Sequence, residues 1–269
     1  MTNSPIPARR LAVRPLLWFA VGAAVVATTG CAAWRIRDAA QLARISEPFQ
    51  ATPAAPVASL LVVGDSTAVG TGATTPQHSL AGLIGRGNQK LRIVNRATDG
   101  AKYEDFARQL AQSDERFDFV LVLGGGNDVI RFTGADKLRT DVRRTAELAR
   151  ERGRTVILMP PGNVGNAPFF WPPLSWLMTQ RSQAMHATIR AVADSTGARY
   201  VNLYKPKAQD PFAQRPDELH ARDGLHPSDA GYQEWLHELD KQAALRAQMG
   251  WLAQKAELGP AATAASTVR

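Results

Sequence analysis

Short, largely apolar runs punctuate the chain from about residue 60 onward. Leu60-Leu61-Val62-Val63 closes at Gly64, and similar runs follow at Leu91 to Val94, Phe117 to Leu123, Thr155 to Met159 and Arg199 to Leu203. A run that is apolar at successive positions, rather than at alternate ones, is what a strand buried on both faces requires. Between the runs, apolar residues recur at helical spacing, most clearly over Ala135 to Arg152 and Thr179 to Thr196. A last helix is predicted from about Ser228 to Gln248, with Tyr232, Trp235, Leu236 and Leu239 on its core face. Strands that alternate with helices predict a parallel sheet covered on both faces, because right-handed crossovers carry the helices outside it.

The pattern differs ahead of this body. Leu16 to Ala33 is free of charge, at the lower edge of what spans a bilayer, and Arg9, Arg10 and Arg14 precede it. The positive-inside tendency then predicts a cytoplasmic N-terminus and a body on the extracytoplasmic side, although Arg35 and Arg37 weaken the bias. A cleaved signal peptide is one alternative. Lipid attachment at Cys31 is another, since Thr28-Thr29-Gly30-Cys31 loosely resembles a lipobox but lacks its leading Leu. Cys31 is the only cysteine, so no disulfide marks the compartment. Ile36, Ala39, Ala40, Leu42 and Ala43 suit a short helical stalk. Glu47 to Ala58, with Pro48, Pro53 and Pro56, suits a semi-extended linker that separates anchor from domain. The expected organisation is therefore 1–33 anchor or signal, 34–58 stalk and linker, 59–250 folded domain, and 251–269 disordered tail.

Charge adds little beyond this. The net charge is +8, but five arginines and no acidic residue precede Asp38, leaving 27 basic against 24 acidic residues in the remainder. The excess flanks the apolar segment and forms no basic stripe with aromatics, which favours a membrane over nucleic acid as partner. Pro160 to Ser175, with Phe169, Phe170 and Trp171 and with Trp176 just beyond, reads either as a loop able to touch something greasy or as a cap on the domain's own core.

In a parallel sheet, ligands bind beyond the carboxyl ends of the strands. Three polar, glycine-bearing segments leave the first three strands: Gly64-Asp65-Ser66, Asn95 to Gly100, and Gly124 to Asp128. A fourth, Asp223-Gly224-Leu225-His226-Pro227-Ser228, precedes the last helix. A serine hydroxyl needs a base to take its proton and usually an acid to orient that base. Ser66 leaves a buried strand on a turn, and Asp223 three residues ahead of His226 can receive one imidazole nitrogen while the other faces the hydroxyl. Gly100 can offer an unobstructed N–H, and Asn127 a side-chain amide, to a developing oxyanion. Each element alone also fits a plain turn or, with Ser228, a helix cap.

Taken in order, the four blocks resemble those of the SGNH (GDSL-type) hydrolases, over roughly Leu60 to Leu245. The resemblance implies a flavodoxin-like three-layer α/β/α sandwich with a five-stranded parallel sheet. It implies Ser66, Asp223 and His226 as catalytic residues, an oxyanion hole from Ser66, Gly100 and Asn127, and no metal or cofactor. Thr67 departs from the leucine common in the first block but removes no reacting group. Asp65 and Asp128 are expected to brace their loops. The implied activity is hydrolysis of an ester or thioester, with acyl lipids or acetylated envelope carbohydrate as substrate, a small-molecule or lipid ester in either case. The alternative is a non-catalytic binding module at the membrane surface. Walker and dinucleotide patterns fail at Val69 and Val129. A metal set from His220, Asp223 and His226 would leave Ser66 and Asn127 without a role.

Overall fold

The computed structural model describes residues 33–250 together with Trp18, Gly30 and Leu252. Cys31, most of Leu16 to Ala33 and most of 251–269 lie outside the described residues, so the anchor, lipidation and tail expectations do too. Among the described residues no helix is long and apolar enough to cross a membrane.

Five parallel strands form one sheet in the order β2-β1-β3-β4-β5. They are β1 (Ala58–Gly64), β2 (Leu91–Asn95), β3 (Phe117–Leu123), β4 (Gly153–Met159) and β5 (Arg199–Tyr200). The doubly apolar runs explain the layering. On β1, Leu60 and Val62 point into one core with Phe119, Leu121 and Ile157, beneath α3 (Leu80–Arg86) and α10 (Asp229–Ala243). Leu61 and Val63 point the other way, against α4 (Tyr103–Leu110), α6 (Ala135–Arg152) and α7 (Leu174–Thr196). Each face thus acquires its own helix layer, and the result is the expected α/β/α sandwich.

The edges depart from expectation. β5 ends at Tyr200 rather than Leu203, although Val201 N–H still reaches the Leu158 carbonyl at 3.0 Å. α10 stops at Ala243 because Ala244 adopts φ +48°, which breaks the helical ladder. Helix α1, residues 33–45, packs on the domain instead of standing away from it: Asp38 is buried, and the Arg35 guanidinium donates to the Pro168 carbonyl. The proline-bearing segment after it runs extended, as its composition requires, but along the edge of β2. Ala51 bridges Ile93 in antiparallel fashion, and Gln50 satisfies both the N–H and the carbonyl of Asn95, at 2.9 and 2.7 Å.

Candidate active site

In the order β2-β1-β3 successive strands are added first on one side of β1 and then on the other, and the loops leaving the carboxyl ends of β1, β2 and β3 converge at that switch point. Gly64 ends β1 under tight constraint, since a Cβ there would sit 1.8 Å from the Leu123 carbonyl oxygen. Buried Gln109 of α4 answers both Gly64 backbone groups, donating to its carbonyl at 2.9 Å and accepting from its N–H at 2.8 Å. The chain therefore turns at once into α2 (Ser66–Val69), whose first residue is Ser66. As the first residue of a helix, Ser66 carries an N–H that no intrahelical carbonyl can accept.

Asp65 and Asn95 hold this turn. Asp65 Oδ1 accepts from the N–H and hydroxyl of Thr67 at 2.9 and 2.7 Å, and Oδ2 accepts from Gly125 N–H at 2.8 Å. Thr67, the departure from the usual leucine, thus adds a hydroxyl donor to the brace. Burial nonetheless pushes the Asp65 carboxyl up, more than these bonds pull it down. The Asn95 amide donates to the Ala68 carbonyl at 2.8 Å, tying the end of β2 to α2.

The loop before α10 reaches the same place. Gly224, at φ +68°, closes a turn in which its N–H donates to the Ala221 carbonyl at 2.9 Å. Asp223 Oδ1 accepts the N–H groups of Leu225 and His226 at 2.9 and 3.1 Å, and Oδ2 lies 2.6 Å from His226 Nδ1. His226 Nε2 lies 2.8 Å from Ser66 Oγ. All three side chains are nearly enclosed, with Ser66 9%, His226 8% and Asp223 1% exposed. Burial opposes ionisation of Asp223, but the bonds from His226 and Leu225 outweigh it and hold the carboxyl below its ordinary range. Ser228 caps α10 by accepting from Gly231 N–H at 3.2 Å, so the capping role and the histidine's position coexist in one loop.

Gly100 and Asn127 stand on the wall of the same cavity as Ser66. Gly100 adopts φ +74°, and Asn127, in α5 (Gly126–Ile130), donates one amide hydrogen to the Ala101 carbonyl at 3.1 Å, leaving the other. Asp128 Oδ2 accepts from Tyr103 N–H at 3.1 Å, whereas its buried Oδ1 makes no hydrogen bond of ordinary geometry and has only the Thr133 hydroxyl nearby. Burial pushes the Asp128 carboxyl up to about 6. Two wall residues lay outside the sequence reading. Asp99 accepts from the Thr71 hydroxyl at 2.8 Å and is also pushed up by burial. Arg131 donates to the Gly100 carbonyl at 3.0 Å. Their signal was positional: Asp99 adjoins Gly100, and Arg131 follows Asn127 by one helical turn.

His220 points elsewhere than a metal set would need, with Nδ1 3.2 Å from the Pro216 carbonyl. Among the described residues no group of three or more His, Cys, Asp or Glu side chains could hold a metal ion. The aromatic loop divides its roles: Phe170 is buried and Phe169 packs on the core, while Trp171 and Trp176 remain 47% and 66% exposed. The cavity encloses about 300 Å³ and is mostly apolar, with Ile130, Val164, Ala167 and Leu225 on its wall.

A sequence model of the GDSL-like Lipase/Acylhydrolase family matches residues 62–234. No curated protein matches the chain. Among solved structures, an α/β hydrolase enzyme, LAE5, from the metagenome of Lake Arreo, Spain, is similar at 21% identity and TM-score 0.56, over 71% of this chain and 96% of that one. TesA is similar at 23% identity and TM-score 0.55, over 70% and 99%. Axe2, an acetylxylan esterase from Geobacillus stearothermophilus, gives 22% and 0.50, over 70% and 94%. At these identities the structural likeness speaks for the fold.

Proposed function

The chain belongs to the GDSL-like lipase/acylhydrolase family and is a hydrolase; from that premise we propose that it cleaves an ester or thioester through an acyl intermediate on Ser66. The observation that carries this reading is the continuous contact from Ser66 Oγ to His226 Nε2, at 2.8 Å, and from His226 Nδ1 to Asp223 Oδ2, at 2.6 Å. His226 takes the hydroxyl proton as Oγ bonds to the substrate carbonyl carbon, and Asp223 stabilises the imidazolium. The N–H groups of Ser66 and Gly100 and the free Asn127 amide hydrogen stabilise the oxyanion. The imidazolium then returns the proton to the departing alcohol or thiol. Water, deprotonated by the same imidazole, attacks the acyl carbon and frees Ser66.

The mostly apolar cavity beside Ser66 favours an acyl group of several carbons over acetyl as the substrate's acid part. Acetylated carbohydrate is the competitor, the named substrate class of one structural relative. The uncharged Leu16 to Ala33 run with arginines ahead of it supports tethering to a membrane, with the hydrolase domain on the extracytoplasmic side.

The test is covalent labelling by a fluorophosphonate probe together with turnover of p-nitrophenyl esters. Ser66-dependent labelling and hydrolysis, both abolished in Ser66→Ala, are expected. A folded protein that neither labels nor hydrolyses would be a binding module instead.

A further inference from the structure

Helix α1 lies outside the segment matched by the family and yet takes part in the cavity that holds Ser66 and His226: Ala39 and Ala43 stand on its wall. These residues are four apart and so occupy one face of the helix. The neighbouring Ala40 is exposed on another face.

The helix is fastened at both ends, which a solvated stalk would not need. At its start, the Arg35 guanidinium donates to the Pro168 carbonyl and lies 5.2 Å from the centre of the Trp171 ring. That loop is in turn strapped to the triad loop, because Phe169 N–H donates to the Gly224 carbonyl at 2.9 Å. Just past the helix, Phe49 packs against the core and Gln50 is locked onto Asn95. A helix held this way presents its inner face to the cavity at a fixed height. Methyl groups on that face leave open the space that longer side chains would fill.

The same cavity wall carries a polar group without a partner. Asn163 is buried and its Oδ1 accepts from Gly165 N–H at 3.1 Å, but its Nδ2 has no protein acceptor. This donor lies beneath the wall's surface, so the surface that faces the cavity remains mostly apolar.

We propose that Ala39 and Ala43 of α1 are specificity-determining residues. On this inference, which rests on the serine-esterase reading above, they form the side of the pocket that receives an apolar acyl chain longer than acetyl. The substrate class is therefore an ester of a medium-length fatty acid, selected by a helix that lies outside the segment matched by the family.

The experiment uses the full chain and p-nitrophenyl esters from acetate to dodecanoate. The readout is the ratio of kcat/KM for octanoate to that for acetate. Ala39→Leu and Ala43→Leu should each lower this ratio by about tenfold or more, the range that a methylene or two commands in an apolar pocket. Ala40→Leu, on the exposed face, should leave it within twofold. Ala39→Ser adds only a hydroxyl and cannot unseat the helix, so it guards against misfolding of the leucine variants and should lower the ratio severalfold. Unchanged ratios in folded Ala39 and Ala43 variants would overturn the proposal, as would wild-type protein that turns over acetate alone. If the wild type labels at Ser66 and only the ratios fail to move, the inference about α1 falls while the esterase reading stands. Loss of labelling itself would remove both.

Discussion

Asp223 has two oxygens and gives them different tasks. Oδ1 holds the loop through two backbone N–H groups, and Oδ2 holds the imidazole. Asp223→Asn keeps an acceptor for the loop but presents an NH₂ group to Nδ1, which favours the wrong tautomer of His226. Turnover should drop by about three to four orders of magnitude, while thermal unfolding changes little; initial rates and melting curves on the same preparation test both halves. Asp128 invites the opposite experiment. Its carboxyl is buried, and that burial raises it to about 6 against the pull of the Tyr103 N–H and the Thr133 hydroxyl. Between the unfolded value near 3.8 and the folded value near 6 the native state keeps a proton that the unfolded chain has released, so this group makes stability fall as pH rises through that window. Asp128→Asn can still accept from Tyr103 N–H and has nothing to ionise. It should therefore gain on the parent protein between pH 4 and 7, by up to ~3 kcal/mol, as read from urea denaturation at the two pH values.

At the scale of elements, the turn from β1 into α2 concentrates the constraint. Any side chain at Gly64 meets both the Leu123 carbonyl of the neighbouring strand and the Ala68 Cβ at 2.7 Å, neither of which can give way. Gly64→Ala should cost about 3 kcal/mol or more, by analogy with overpacked core sites, and chemical denaturation would report it. This packing also explains what was legible beforehand. The apolar runs of β1 and β3 read as buried strands, and the glycine-bearing loops at their ends as meeting on one rim. Ser66, Asp223, His226, Gly100 and Asn127 could therefore be picked out by type and order. Element ends were not legible, because they depend on partners: β5 stops after two residues, and α7 begins at Leu174, before its periodic stretch starts. Gln109 was invisible for the same reason, since nothing local distinguishes a helical glutamine that completes Gly64 from one in water.

Over the whole molecule, the least legible feature was the attachment of residues 33–58. The spacing of Ile36, Leu42 and the alanines predicts a helix but not what it packs on, because the partners of this segment lie far along the chain; Arg35 meets Pro168 across 133 positions. A proline-bearing stretch with few large side chains has the composition of a free linker, and only the edge of β2 turns it into part of the domain. One large side chain decides between the two descriptions. Phe49 packs against the core cluster, and a Cβ added at Gly85 would lie 2.8 Å from the Phe49 ring, so the close approach of α3 fits this ring specifically. In a free linker, Phe49→Ala would change stability by less than about 0.5 kcal/mol. In a docked one, with the ring partly buried, it should cost about 2–3 kcal/mol, below or near the low end of the range for full aromatic truncations. Urea denaturation of the full chain separates these outcomes. The larger loss would make residues 47–58 a structural edge of the hydrolase domain, and so a rigid base for the helix that stands over its cavity.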